Sequence, residues 1–252
     1  MNILALDCSL SVLCAACARG HDSLSRGGAP SPKHPFDSRL GHGVSERGSF
    51  AAMEIDAGAR HAERALGALE LVMRELALEA RDIDLFVCAS GPGSFTGLRI
   101  AAATIKGLAS ALGKPWVGVP TLDAYAAEWA GTVPAVVPVI DARRGRFYAA
   151  VYVSGERRTP WLDAEPGAIL AETVGLSEIL FVGPDAEAFA EAASERSGIR
   201  VPRESRRAPA RSLVELGRRR FELEGPAGPD EGPVYVRSSD AEEQDAAAGR
   251  AP

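Results

Sequence analysis

Residues 135–155 read AVVPVIDARRGRFYAAVYVSG: an apolar run ending in Asp141, a tight turn, a returning strand expected over 147–153, and Gly155. The N-terminus runs the same way. Residues 2–7 (NILALD) are a short apolar run ending in Asp7, a second strand is expected over 11–19, and Gly20 follows. In each case a glycine stands 13 or 14 residues past the aspartate. Short apolar runs bounded by turn residues read as buried strands. Their recurrence predicts two structurally related α/β halves.

Between and after these units the apolar spacing changes to a helical one. A helix is expected over 60–80, with Leu66, Leu69, Val72, Met73 and Leu76 on one stripe. Residues 84–89 (DLFVCA) read as a buried strand, residues 90–97 (SGPGSFTG) as a glycine-rich turn, and residues 97–112 as a helix. Its stripe is Leu98, Ala101, Ala102, Ile105, Leu108, Ala109 and Leu112, and Gly113 suits the position that closes it. A strand over 116–119 follows, and Thr121 can cap a helix that runs to Trp129. Farther on, a strand is expected at 179–182 and helices near 185–196 and 211–223.

Composition bounds the rest. With 252 residues, 46% hydrophobic and 25% charged, the chain can bury a sizeable core and is not disordered as a whole. No apolar run is long enough for a membrane span, and no basic region followed by an apolar one opens the chain, so a cytoplasmic protein is expected. A net charge of −6 argues against a protein that grips nucleic acid unaided. Glycine and proline concentrate in residues 21–50, expected as a flexible insertion, and the acidic, alanine-rich residues 239–252 are expected as a disordered tail. Cys14 and Cys17 form a CxxC, but on a strand an offset of three turns the thiols to opposite faces, and no second pair completes a metal site.

The sharpest chemistry lies at residues 91–99 (GPGSFTGLR). Gly91, Gly93 and Gly97 let a backbone turn tightly into a helix N-terminus, whose free N–H groups favour an anion. Arg99 in the first turn opposes the helix dipole, which calls for an anionic neighbour: a ligand phosphate, or an internal carboxylate such as Asp7 or Asp141. The Rossmann fingerprint fails at Thr96, the Walker loop fails at Leu98 and Arg99, and the nucleophile elbow fails because Thr96 adjoins the second glycine. His61 opens a helix, but a metal-binding partner four residues on would fall at Ala65. No catalytic residue and no metal site is assigned.

These pieces together resemble the TsaB family, partners of the TsaD enzyme in making threonylcarbamoyladenosine in tRNA. The matching stretches are ILALDCS at the start, RHAER at 60–64, SGPGSFTGLRIA at 90–101, GVPTLDA at 118–124, VIDARRGRFY at 139–148 and PVYVR at 233–237. The resemblance implies the actin-like (ASKHA) fold, α/β, with two ribonuclease-H-like halves of mixed sheets flanked by helices. The halves are then expected at 1–130 and 131–238. It also implies a non-catalytic subunit of the complex that installs threonylcarbamoyl on the adenosine next to the anticodon. TsaD-like relatives carry a metal-binding histidine pair on the first long helix, of which only His61 is present here.

Partners implied are a TsaD-type catalytic subunit, a TsaE-type ATPase, a second copy when the chain is alone, and tRNA only indirectly. No cofactor is expected of the chain itself, with ATP or ADP at a subunit interface left open. The two N-terminal helices are the expected partner surface, with candidates His61, Glu63, Leu66, Leu69, Met73, Ala102, Ile105 and Ala109. The alternative is a nucleotide-binding phosphotransferase of the same fold, which Asp7, Asp141 and the glycine turn would serve. A peptidase lacks any triad or metal set. The arginines from Arg196 to Arg220, including Arg203, Arg206, Arg207, Arg211, Arg218 and Arg219, could add phosphate contacts within an assembled complex.

Overall fold

The computed structural model describes residues 1–20, 41–45, 48–193, 199–202 and 208–236. The expectations for residues 21–40, for the tail, and for Arg196, Arg203, Arg206 and Arg207 lie outside the described residues.

The first half contains β1 (Ile3–Asp7), β2 (Val12–Arg19), β3 (Gly41–Ser45), β4 (Gly48–Asp56), α1 (His61–Glu75), β5 (Leu85–Gly91), α2 (Phe95–Leu112), β6 (Trp116–Pro120) and α3 (Thr121–Glu128). Its sheet has the order β3-β4-β2-β1-β5-β6. The second half contains β7 (Ala135–Arg143), β8 (Arg146–Ala149), β9 (Tyr152–Val153), β10 (Glu156–Arg157), β11 (Leu162–Ala164), α4 (Pro166–Ala171), β12 (Ile179–Val182) and α5 (Ala186–Ala192), and α6 (Ala210–Glu224) closes the order. Its strands run β10-β9-β7-β8-β11, with β12 also on β7.

The repeat read from the sequence is a repeat of pairing. β1 runs antiparallel to β2 and parallel to β5, and β7 runs antiparallel to β8 and parallel to β12. The returning strand expected over 147–153 is split, because Pro138 falls in the gap between the two stretches that pair. Val139 faces Ala149 and Val136 faces Tyr152, but Pro138 has no N–H to continue the ladder. Val151 turns elsewhere, its N–H donating to Thr159 Oγ1 (3.0 Å) and its carbonyl accepting from Arg158 N–H (2.7 Å).

α1 and α2 cover one face of the first sheet. Ala65, Leu69 and Val72 from α1 meet Ala101, Ile105 and Ala109 from α2 in one core with Leu4, Leu6 and Phe86. Ser94 opens α2, its Oγ accepting the Gly97 N–H, and Gly113 ends it in the left-handed conformation at φ 62°. α1 stops at Glu75, short of residue 80, where Leu76 begins to unwind and Ala77 takes φ 50°. Thr121 is the first residue of α3 after Pro120 and does not cap it; its buried Oγ1 has no hydrogen-bond partner among the described residues.

Two placements differ from the sequence pattern. β3 pairs antiparallel with the start of β4, inside the stretch expected as an insertion, where glycine and polar residues hide any alternation. α6 lies within the span expected for the second half, yet Leu213 and Val214 pack with Ile3, Val87 and Val117 of the first sheet. Gly217 lets it sit close, since a Cβ there would come within 2.5 Å of Val87 Cγ2. Arg220 of α6 donates to Gly118 O, and the segment after the helix reaches β6 again where Ala227 N–H donates to Trp116 O (2.8 Å). Between the halves, Leu122 and Ala126 pack on Ile140, Tyr152 and Leu180.

Candidate functional site

The glycine turn stands at the carboxyl end of β5, beside the carboxyl end of β1. The Gly91-Pro92 peptide is cis. Each glycine makes room for the chain's own backbone. A Cβ on Gly93 would overlap the Ser9 carbonyl oxygen, one on Gly97 the Cys8 carbonyl oxygen, and one on Gly91 the Val234 carbonyl oxygen. Three of its N–H donors are taken as well. Ser94 N–H donates to Ser9 O (2.6 Å), Gly97 N–H to Ser94 Oγ (3.3 Å) and Leu98 N–H to Ser94 O (2.8 Å). A turn walled by carbonyl oxygens, with these donors committed, is a poor phosphate cradle. Gly93 and Gly97, expected beside an anion, pack against residues 8–9, and Gly91 packs against Val234.

Asp7 and Asp141 play matching parts. Asp7 Oδ1 accepts the Ser9 N–H at 2.7 Å, and Asp141 Oδ1 accepts the Arg143 N–H at 2.7 Å. Each aspartate thus folds the backbone two residues on, shaping the turn of its hairpin. Asp7 is buried, and burial pushes its carboxyl above the ordinary value, against the pull of Ser9 and of the nearby His61. His61 is also buried, and neither its Nε2 nor Ser9 Oγ has a hydrogen-bond partner among the described residues. Asp141 holds the Arg143 guanidinium at 3.2 Å, and its own N–H donates to Asp185 Oδ2 (2.8 Å).

Arg99 pairs with neither aspartate. Its Nε donates to Tyr235 Oη at 3.3 Å and its guanidinium lies 3.9 Å from the centroid of the Phe95 ring. Phe95 and Tyr235 meet at 4.9 Å between centroids, their planes tilted by 38°. In place of a carboxylate, Arg99 has the face of one aromatic ring, Phe95, which attracts a cation without an ion pair, and the phenol oxygen of Tyr235. Lys106 holds the same C-terminal segment, donating to the carbonyls of Pro229 (3.0 Å) and Glu231 (2.9 Å). Sequence reasoning missed Tyr235 as Arg99's partner; the only signal was its place in PVYVR.

The expected partner residues divide. Leu69, Ile105 and Ala109 face the chain's own core, His61 and Ala102 are buried, and Met73 packs at the core's edge. Glu63 is exposed and Leu66 is 59% exposed. The outer face of the two helices carries two glycines, Gly67 and Gly107, both with open space where a Cβ would sit and neither at positive φ.

Cys17 joins the core under α1 and α2, while Cys14 shares its strand face with Ala16, which packs on the opposite side. Burial pushes the thiols of Cys17 and Cys88 up to about 12 and raises those of Cys8 and Cys14 as well, so all four stay protonated. Among the described residues no cluster of three potential metal ligands forms, and no helix is long and apolar enough to cross a membrane. The α6 arginines are mostly engaged. Arg211 lies over Phe50 at 4.5 Å, Arg218 pairs with Glu222 at 2.6 Å and Arg220 with Glu224 at 3.0 Å.

Comparison with known proteins supports the same placement. The chain is 29% identical over 130 residues to the tRNA threonylcarbamoyladenosine biosynthesis protein TsaB of Bacillus subtilis, covering 50% of this chain and 57% of that one. It is 34% identical over 112 residues to the protein of the same name from Escherichia coli, covering 44% and 48%. The chain thus spans about half the length of these curated relatives. The solved structure of YeaZ from Pseudomonas aeruginosa superposes with a TM-score of 0.69 at 21% identity, over 93% of this chain and 99% of that one, which shows the shared actin-like α/β fold. A family model described as TsaD, tRNA N6-adenosine threonylcarbamoyltransferase, matches residues 55–212. With more than half its length inside that model, the chain belongs to the TsaD family, and within it resembles the TsaB proteins.

Proposed function

We propose that this chain is a non-catalytic subunit in tRNA threonylcarbamoyladenosine biosynthesis, docking through the outer face of α1 and α2 onto a TsaD-type catalytic subunit. The observation that carries this reading is the pair Gly67 and Gly107. Glycine in mid-helix costs about 1 kcal/mol relative to alanine, and here neither fills a tight space nor takes a conformation that alanine refuses. A reason for them lies outside the chain: a second helix laid closely across this face. Exposed Leu66 beside Gly67 supplies apolar surface for that contact. The docking residues are therefore Glu63, Leu66, Gly67, Ala103 and Gly107, all exposed, in place of the core-facing Leu69, Ile105 and Ala109.

Three features support a non-catalytic role. The turn that would cradle a phosphate is filled by residues 8–9, Ala65 stands buried one turn after His61, and Asp7 is committed to its own hairpin. The TsaE-type ATPase, a homodimer of the lone chain, a cytoplasmic location, and ATP or ADP bound only between subunits belong to the same reading. Contact with tRNA then falls to the partners.

Co-purification with the cognate TsaD-type subunit tests it. The wild-type chain should retain that subunit at micromolar concentration, and Gly107→Leu should release it without lowering the melting temperature. Retention unaffected by Gly107→Leu and by Leu66→Asp would remove this face from the reading. In cells, depletion of the chain should lower threonylcarbamoyladenosine in tRNA, as read by mass spectrometry.

A further inference from the structure

A cleft of about 510 Å³ opens at the carboxyl ends of β5 and β6, between the C-terminal part of α6 and the second half. Its size falls within the usual range for small-molecule sites, and strand carboxyl ends are where α/β sheets commonly hold ligands. Its acidic side chains are already matched. Asp123 accepts from Tyr152 Oη and Trp161 Nε1 and pairs with Arg157 at 3.5 Å. Glu224 and Glu231 both pair with Arg220, at 3.0 and 2.9 Å.

Three groups are left over. Arg219 lines the cleft and forms no ion pair or hydrogen bond among the described residues. Leu223, one turn on, is 73% exposed. Trp161 is fixed in place, its N–H toward Asp123 and one face under the Arg157 guanidinium at 4.5 Å. An uncommitted guanidinium, an uncovered leucine and an immobilised indole ask for a ligand with a flat apolar body and one anionic group.

We propose that this cleft binds a small aromatic anion, its ring against Trp161 and Leu223 and its carboxylate or phosphate on Arg219. A guanidinium receives such a group through two parallel hydrogen bonds, and a ring already held in place needs little further ordering. The site is separate from the α1–α2 face and does not depend on the partner reading.

Titration calorimetry of the full chain with 2-naphthoate tests it, with 2-naphthylmethanol as the uncharged ring and inorganic phosphate as the anion without a ring. Saturable one-to-one binding of naphthoate is expected, weakened about ten-fold by Arg219→Ala and by Leu223→Asp, as loss of one charge-assisted contact implies. Both positions are exposed, so folding survives and is checked by melting temperature. The neutral alcohol should bind about ten-fold more weakly, and phosphate alone should give no saturable heat. The proposal is overturned by absence of naphthoate binding up to roughly millimolar concentration, by equal affinity in both variants, or by phosphate binding as tightly as naphthoate.

Discussion

Arg99 and Tyr235 stand 136 residues apart in the chain and meet through a 3.3 Å hydrogen bond, Nε donating to the phenol oxygen. Phe95 completes the contact from the turn before Arg99, so the start of α2 and the last described residues form one unit. A double-mutant cycle in urea should show this. Arg99→Ala and Tyr235→Ala should each cost about 1 kcal/mol, and the double variant less than their sum by about 0.5 kcal/mol. Strict additivity would mean that the two side chains do not communicate.

Two glycines of α2 should respond oppositely to the same substitution. Gly97→Ala drives a methyl group into the Cys8 carbonyl and should destabilise the chain by about 1–3 kcal/mol. Gly107→Ala meets open space in mid-helix and should stabilise it by about 1 kcal/mol. Chemical denaturation of both variants reads the difference in sign.

Glu215 is half-buried near Glu128, and burial raises its carboxyl above the ordinary value, with Arg211 and Arg218 pulling it down less strongly. The folded state therefore binds this proton more tightly than the unfolded chain. Its stabilising effect is complete below the ordinary carboxylate pKa and is lost as pH rises through the elevated folded value. At neutral pH the ionised group is a liability. Glu215→Gln should raise the melting temperature at about pH 7 and leave it unchanged at about pH 3, where both states are protonated.

Calorimetry of the isolated chain with ATP and Mg²⁺ should give no saturable heat, because carbonyl oxygens of Cys8, Ser9 and Val234 wall the turn and its Ser94, Gly97 and Leu98 N–H groups are held by Ser9 and Ser94. Micromolar binding that is lost in Asp7→Asn would restore the phosphotransferase reading.

The residues that repeat were the legible ones. Asp7 and Asp141 end apolar runs of similar length, and the pairing of β1 and β7 follows from that local pattern. The stripe of α2 was equally plain, since Leu98, Ala101 and Ile105 recur at helical spacing and are all buried. Long-range choices were not legible. Nothing in the amphipathic pattern of α6 says which sheet it will cover, and the close fit of Gly217 on Val87 exists only once both are folded. Helix-dipole reasoning correctly required something beside Arg99 but could not select tyrosine over aspartate. The glycine turn was ambiguous for a related reason: a ligand and the chain's own carbonyls demand the same small residues.

The segment that follows α6 has one more effect. Its Ala227 N–H occupies Trp116 O while Arg220 of α6 occupies Gly118 O, and together they cover the outer border of β6. A second copy cannot extend the first sheet there by adding a strand, which guards a parallel, β-rich border against open-ended polymerisation.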